Sequence, residues 1–356
     1  MFKKINDFIV FGCFITAMLL CPKSVEAQET AIYNEALEFY KEGKEYFRLG
    51  NYPLAQQHFK DALRFREENV KLFPAQEMDA AYLQALSSKI LGKDDAVYEL
   101  TNFIEEYGNN RRYNSLANYH LAELFFNKKS HRPVLANLQE VYENDLSYEE
   151  YENYLFMTAY SHFVLQEFQE AKEKFARVAK IKGKHFEDAS YYTGYLAFEE
   201  GDYQAAVKNF FIVEDVARYS KILPYYISQI YYRTNQTQKL MEYTIPKLKV
   251  NGLKYKTQMH KMVGLVYYDQ KNFEKALPYL SYFVERSTKV SKEDLYLLAY
   301  TQYQFGDYEK AIPNFLELNT LNDEYGQNAM YHLADCYLKT GEKQSALTAF
   351  KNVMNN

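Results

Sequence analysis

The sequence predicts an all-α protein, an α-solenoid of about nine helix–turn–helix units. The first observation is a set of three residues, Tyr308, Ala311 and Phe315, whose spacing places them on one face of a helix. Equivalent sets begin at residues 168, 203 and 273, so the steps between sets are 35, 70 and 35 residues. The second observation is a recurring glycine followed by a polar residue, as in Gly201-Asp202, which ends one helix and begins the next. Such internal repetition indicates a chain built from one structural unit.

The first element, residues 1–27, has the pattern of a secretion signal. Two lysines precede an apolar run from Phe8 to Cys21, and a small-residue cleavage pattern ends at Ala27. The apolar run is shorter than the roughly 20 residues that a membrane-spanning helix needs. We therefore expect an exported, mature chain that begins at Gln28 and lies in the periplasm, either free or associated with the outer membrane.

A lipid anchor on Cys21 or Cys13 is the alternative for this segment, although Cys21 follows the large residue Leu20 rather than a small one. Removal of residues 1–27 leaves Cys336 as the single cysteine, so no disulfide can form within the mature chain. The apolar helical pattern around Cys336 predicts a buried core residue rather than a nucleophile.

Each repeated unit is predicted to contain two helices joined by a tight turn. In EDASYYTGYLAFEEGDYQAAVKNFFIVED, Gly201 supplies the left-handed backbone position that ends the first helix, and Asp202 caps the second. Small residues such as Gly194 fall nine positions before the aromatic residue that opens the second helix, and alanines such as Ala206 fall three positions after it. We expect the two helices to approach closely at these residues, because a bulky side chain would push them apart.

This pattern resembles that of tetratricopeptide repeat proteins, and with the secretion signal it is similar to an exported bacterial, Bacteroidetes-like type. The residues of the first unit that carry the resemblance are Gly43, Tyr46, Gly50, Asn51, Tyr52, Ala55, Phe59 and Ala62. The tryptophan of the family pattern is absent throughout, and the period is 35 residues rather than 34. The resemblance covers essentially the whole mature chain.

The resemblance divides residues 28–356 into six clear and three degenerate units. The clear units are expected near residues 35–68, 152–182, 187–218, 257–286, 292–322 and 327–356. The degenerate units are expected near residues 79–107, 114–144 and 222–250.

Charge and motifs exclude several classes of function. The 42 basic and 47 acidic residues give a net charge of −5 without a basic block, so nucleic acid is not the expected partner. The sequence has no H-E-x-x-H, no glycine-rich phosphate loop and no G-x-S-x-G. We expect neither enzymatic activity nor a small-molecule cofactor.

The resemblance implies a scaffold whose first helices line a groove for a peptide or a partner protein. Read in steps of 35 from Phe156, five of six residues on this face are aromatic, with Lys261 as the exception, and further rings follow one turn later. The groove candidates are Phe156, Tyr160, Tyr191, Tyr195, Phe198, Tyr226, Tyr268, Tyr296, Tyr300, Tyr303 and Tyr331. We expect them to bind an apolar or aromatic segment, and packing between adjacent first helices is the alternative.

Two other interpretations stay open. An outer-membrane glycan-binding protein with similar helices would use aromatic platforms, although the chain has no tryptophan. The last helix, SALTAFKNVMNN, has an apolar face with no polar capping helix after it, so further repeats, association with a second copy or a partner would cover it. The chain would then be the N-terminal scaffold of a longer envelope protein, or an interface.

Overall fold

A computed structural model of the chain describes residues 33–65, 72–319 and 323–355. The predicted signal segment, residues 1–27, lies outside the described residues. The described part contains eighteen α-helices and no strand, which confirms the predicted all-α class and the number of about nine helix–turn–helix units. None of the described helices is long and apolar enough to cross a membrane.

The helices form nine pairs along the chain, each with a first and a second helix. The first helices are α1 (33–48), α3 (Pro74–Ile90), α5 (Arg111–Asn127), α7 (Tyr148–Val164), α9 (Phe186–Glu200), α11 (Leu223–Arg233), α13 (Lys256–Asp269), α15 (Lys292–Phe305) and α17 (Glu324–Lys339). The second helices are α2 (Tyr52–Arg64), α4 (Ala96–Tyr107), α6 (His131–Gln139), α8 (Phe168–Ile181), α10 (Tyr203–Val213), α12 (Thr237–Lys247), α14 (Phe273–Arg286), α16 (Tyr308–Leu318) and α18 (Lys343–Asn355). The unit boundaries given by the sequence pattern stay a prediction.

The chain divides into two compact units. The first extends to Ala189 and the second begins at Ser190. In each, the principal contacts join the two helices of a pair and the second helix of one pair to the first helix of the next. This is the contact pattern of a stack of helix pairs, in which each pair packs on its neighbours.

One close contact sets the register of each helix pair. A Cβ atom added to Gly194 would lie 2.8 Å from the ring of Phe210, and one added to Gly264 would lie 2.7 Å from Leu280. The two partners of the contact are 16 residues apart, and the residue on the first helix is the small residue predicted from the sequence. We call the small member the close-contact residue. The close-contact residues are Gly43, Ser87, Ala122, Ala159, Gly194, Ser228, Gly264, Ala299 and Ala334.

The α11–α12 pair keeps this geometry with different chemistry. Ser228 and Thr244 are both fully buried, and their hydroxyl oxygens are 2.7 Å apart in a hydrogen bond. Ser228 follows Gly194 by 34 residues rather than 35, and Gly264 follows Ser228 by 36. The constant 35-residue step therefore misplaces the residues of this pair by one position.

The turns between paired helices confirm the register. Seven residues after the close-contact residue, eight of the nine described turns have a residue with positive φ. Glycine occupies four of these positions, as predicted: Gly50, Gly201, Gly306 and Gly341. The other four positions hold Lys129, Gln166, Asn235 and Lys271, with φ between 55° and 65°. All four adopt the left-handed conformation, which costs a residue such as lysine or glutamine about 1 kcal/mol but is tolerated by asparagine.

The core follows the predicted pattern of alanines and phenylalanines. Ala55, Ala171, Ala206, Ala276, Ala311 and Ala346 are all fully buried on the second helices. Phe59, Phe175, Phe210 and Phe315, one turn later on the same helices, are fully buried as well. Cys336 is also buried, and burial raises the pKa of its thiol to about 12. A thiol in this state is unreactive at neutral pH, in agreement with a core role.

Replacement of Lys271 by glycine is expected to stabilise the protein by about 1 kcal/mol, because the left-handed strain disappears and no described contact is lost. The matched control is Gln270→Gly, since Gln270 has a φ of −77° and gains nothing from glycine. Urea melts would show a higher midpoint for Lys271→Gly and a lower one for the control. Equal shifts in both variants would contradict the strain at Lys271.

Candidate functional site

Aromatic residues three positions before the close-contact residues pack against the segment where the next helix pair begins. Each ring lies on another ring in the loop or first turn that begins the following first helix. The ring pairs are Phe156 with His185 (centroids 4.1 Å apart, interplanar angle 4°), Tyr191 with Tyr219 (4.2 Å, 9°), Tyr225 with Tyr255 (4.7 Å, 37°) and Tyr296 with Tyr325 (5.7 Å, 68°). We call the second members the entrance rings. These contacts join neighbouring helix pairs, so the groove candidates Phe156, Tyr191 and Tyr296 have a packing role.

Tyr226 lies at a different position from the one that the 35-residue step predicts. In the register set by Ser228, Tyr225 is the residue equivalent to Tyr191, and Tyr226 is one position further along. The ring of Tyr226 lies 5.2 Å from that of Phe198 and 5.8 Å from that of Phe210, and burial raises the pKa of its hydroxyl. Tyr226 therefore packs on the core of the preceding pair.

The remaining candidates also make contacts with neighbouring helices. Tyr160 contacts Phe126 (ring centroids 5.7 Å apart), Tyr195 contacts Tyr226 (5.9 Å), Tyr300 contacts Tyr268 (6.1 Å), and the Tyr303 hydroxyl donates to Asp335 Oδ2 at 2.7 Å. Phe156 and Phe198 are buried, whereas Tyr331 is 53% exposed. The binding role of these eleven residues stays a prediction.

Two clefts open between adjacent first helices at the same positions of the repeat. The first helix of each cleft contributes the residues one, four and five positions after its close-contact residue. The next first helix contributes the residues two, three and six positions before its own close-contact residue. The α5–α7 cleft, in the first unit, has a volume of about 180 Å³ and is lined at these positions by Glu123, Phe126, Asn127, Asn153, Phe156 and Met157. The α11–α13 cleft, in the second unit, has a volume of about 250 Å³ and is lined by Gln229, Tyr232, Arg233, Gln258, Lys261 and Met262.

In the α5–α7 cleft, the charged side chain of Glu123 has partners within the protein. The carboxylate of Glu123 accepts hydrogen bonds from Lys89 and lies 3.0 Å from His120 Nδ1. Burial opposes ionisation of Glu123, but these two partners hold its pKa below the usual value. Burial lowers the pKa of His120, whose Nε2 lies 3.1 Å from the Tyr82 hydroxyl.

The far end of the same cleft is fixed by a buried carboxylate. Glu152 Oε1 accepts a hydrogen bond of 2.6 Å from the backbone N–H of His185, and His185 Nε2 lies 2.7 Å from Asn153 Oδ1. A Cβ atom on Gly183 would collide with Glu152, so the loop before α9 lies directly on this carboxylate. Glu123, Glu152 and Asn153 at this cleft therefore all have polar partners within the protein.

The α11–α13 cleft has apolar walls and a basic rim. Tyr225 and Leu265 extend the lining given above, and Tyr232 is 39% exposed at its mouth. Lys261 Nζ pairs with the buried Asp294 at 2.6 Å. Arg233 Nη1 donates to the Tyr203 hydroxyl at 3.3 Å, and its guanidinium carbon lies 5.3 Å from the centroid of the Phe198 ring.

Sequence reasoning missed Tyr225, Gln229, Tyr232 and Arg233 because it assumed a constant step of 35 residues. Asn235 could have indicated their correct register, since asparagine tolerates the left-handed conformation that glycine adopts in the other turns. Alignment of Asn235 with Gly201 gives a step of 34 and the correct register.

Comparison with known protein families decides the classification. Residues 154–211, which begin within α7 and end within α10, match the family model described as tetratricopeptide repeat. The chain therefore contains tetratricopeptide repeats. Residues 269–353 of this tetratricopeptide repeat protein match a second family model, described as anaphase-promoting complex, cyclosome, subunit 3. A comparison with curated proteins finds no match.

Solved structures of low sequence identity resemble the tetratricopeptide repeat protein. A tetratricopeptide repeat protein from Parabacteroides merdae has a TM-score of 0.40 and 15% identity, over 76% of this chain and 99% of that one. PilF of Pseudomonas aeruginosa has a TM-score of 0.42 and 16% identity, over 61% and 97%. A structure of Naa15/Naa10 bound to HypK-THB has a TM-score of 0.49 and 9% identity, over 90% and 49%.

Simultaneous replacement of Tyr191, Tyr226 and Tyr296 by serine is expected to lower the free energy of unfolding by several kcal/mol, about 2 kcal/mol for each ring, because all three pack between helix pairs. Tyr232→Ser, at the exposed mouth of a cleft, should cost less than about 1 kcal/mol. Thermal melts followed by circular dichroism measure both. An unchanged melt of the triple variant would remove the packing role and leave the rings available for a ligand.

Proposed function

We propose that this tetratricopeptide repeat protein is a non-enzymatic scaffold of the bacterial cell envelope, which binds an extended segment of a partner protein along its first helices. The observation that carries the proposal is the recurrence of the same cleft at equivalent positions in α5–α7 and in α11–α13. Each cleft is large enough for one or two side chains. A partner segment that places side chains in successive clefts is therefore the ligand that suits this geometry.

The chemistry of the clefts also favours binding over catalysis. Two of their charged groups are engaged in structural ion pairs, Glu123 with Lys89 and Lys261 with Asp294. Tyrosine and methionine on the walls offer large apolar surface at low entropic cost, which is characteristic of protein-binding sites. A glycan would instead need several polar groups free to bind sugar hydroxyls, so the protein ligand is the preferred proposal.

Site-specific photo-crosslinking in intact cells tests the scaffold proposal. A photoreactive phenylalanine analogue at Tyr232 or Asn127, both at cleft mouths, should capture the same partner protein. The control position is Lys208, which is exposed on the second helix α10 and lies outside both clefts. Equal capture from Lys208, or recovery of a polysaccharide from the cleft positions, would contradict the proposal.

The envelope location rests on the N-terminal sequence and has its own test. The protein isolated from its native cell should begin at Gln28 and carry no acyl group, because the apolar run from Phe8 to Cys21 is followed by a cleavage pattern at Ala27. Mass spectrometry of the intact protein from periplasmic and cytosolic fractions measures this. A cytosolic protein that retains Met1 would overturn the location, and an acylated cysteine would replace it with membrane anchoring.

A further inference from the structure

One charged residue of the α11–α13 cleft forms no ion pair with a described carboxylate, although the exposed Asp269 lines an adjoining cavity with it. Arg233 is exposed at the mouth of the cleft, and its partners are neutral: the Tyr203 hydroxyl and the Phe198 ring. No carboxylate pairs with Arg233 among the residues that the structure describes. The other cation of the cleft, Lys261, is already paired with Asp294. Arg233 is thus the group on this rim that can accept a new anionic partner.

The cleft walls beside Arg233 determine which kind of ligand side chain fits next to an anionic group. Met262 is buried and Leu265 half-buried on α13, and Tyr225 and Tyr232 face them from α11. Tyr225 and Tyr232 both have raised pKa values because of burial, so both present neutral hydroxyls at physiological pH. A cleft of about 250 Å³ with such walls accommodates one large apolar side chain.

The neighbouring first helices carry the opposite charge at the same repeat position. Five residues after the close-contact residue, α9 has Glu199 and α13 has Asp269, and both are exposed. Read across α9, α11 and α13, the charges are negative, positive and negative. Adjacent packed helices lie roughly 8–10 Å apart, and an extended chain advances about 3.3 Å per residue. An extended ligand therefore passes one helix about every three residues.

We propose, on the basis of the scaffold function above, that the partner segment recognised by the second unit carries an aspartate or glutamate beside a large apolar residue, with basic residues about three positions away. The carboxylate pairs with Arg233, and the apolar side chain enters the α11–α13 cleft. Glu199 and Asp269 attract the flanking basic residues. Guanidinium–carboxylate pairs have two parallel hydrogen bonds, which gives this position its selectivity.

Selection of random dodecapeptides displayed on phage, against the purified full chain, tests this proposal. The test variants are Arg233→Gln and Arg233→Glu. The control variant is Lys208→Glu, which makes the same charge change as Arg233→Glu on the exposed face of α10. The wild type and Lys208→Glu should enrich peptides with an acidic residue at one aligned position. Arg233→Glu should instead enrich lysine or arginine there, and Arg233→Gln should bind the best acidic peptide about tenfold more weakly.

The outcomes separate this inference from the scaffold function. Enrichment of peptides without an acidic preference, or an identical preference in Arg233→Glu, would overturn the role of Arg233 and leave peptide binding intact. Failure of the wild type to enrich any peptide would overturn both. Arg233 is exposed, so the variants should retain the circular dichroism spectrum and melting midpoint of the wild type. If only Arg233→Glu melts at a lower temperature, the peptide affinity of Arg233→Gln provides the comparison with the wild type.

Discussion

The structure depends on one contact, between a small residue on the first helix of each pair and a larger residue sixteen positions later on the second. Gly194 against Phe210 leaves no room for a Cβ atom, and Ser228 against Thr244 keeps the same approach with a buried hydrogen bond. Extra volume in such a contact typically costs about 1–3 kcal/mol because the helices must separate. The alanines of the second helices are buried for the same reason.

This contact also determines the chemistry of the surface between neighbouring pairs. Once the register is set, residues three positions earlier meet an entrance ring, and residues one, four and five positions later line a cleft. A shift of one residue packs the half-buried Tyr226 against the core of the preceding pair and brings Tyr225 to the position equivalent to Tyr191. The α5–α7 and α11–α13 clefts therefore share their lining positions but differ in charge, since Glu123 is paired with Lys89 whereas Arg233 contacts only neutral groups.

The fold could be predicted from the sequence because its determinants are local. The spacing of Tyr203, Ala206 and Phe210 and the turn at Gly201 describe a helix pair without knowledge of the rest. The site could not be predicted as completely, because ring stacking such as that of Phe156 on His185 depends on where the next pair begins. Periodicity cannot distinguish a ring that packs on a neighbour from one that faces a ligand. A single 34-residue step, at Ser228, was enough to hide Arg233.

The turns make the helix pairs unequal in their resistance to local opening. Pairs joined through Gly50, Gly201, Gly306 or Gly341 form the left-handed bend without strain, whereas those joined through Lys129, Gln166 or Lys271 do not. In a stack stabilised by nearest-neighbour contacts, such differences are not averaged over the molecule. Amide hydrogens in α5–α8 and α13–α14 should accordingly exchange with solvent from partially open states, while the glycine-linked pairs stay closed. Glycine placement thus distributes flexibility along a molecule whose helices otherwise look alike.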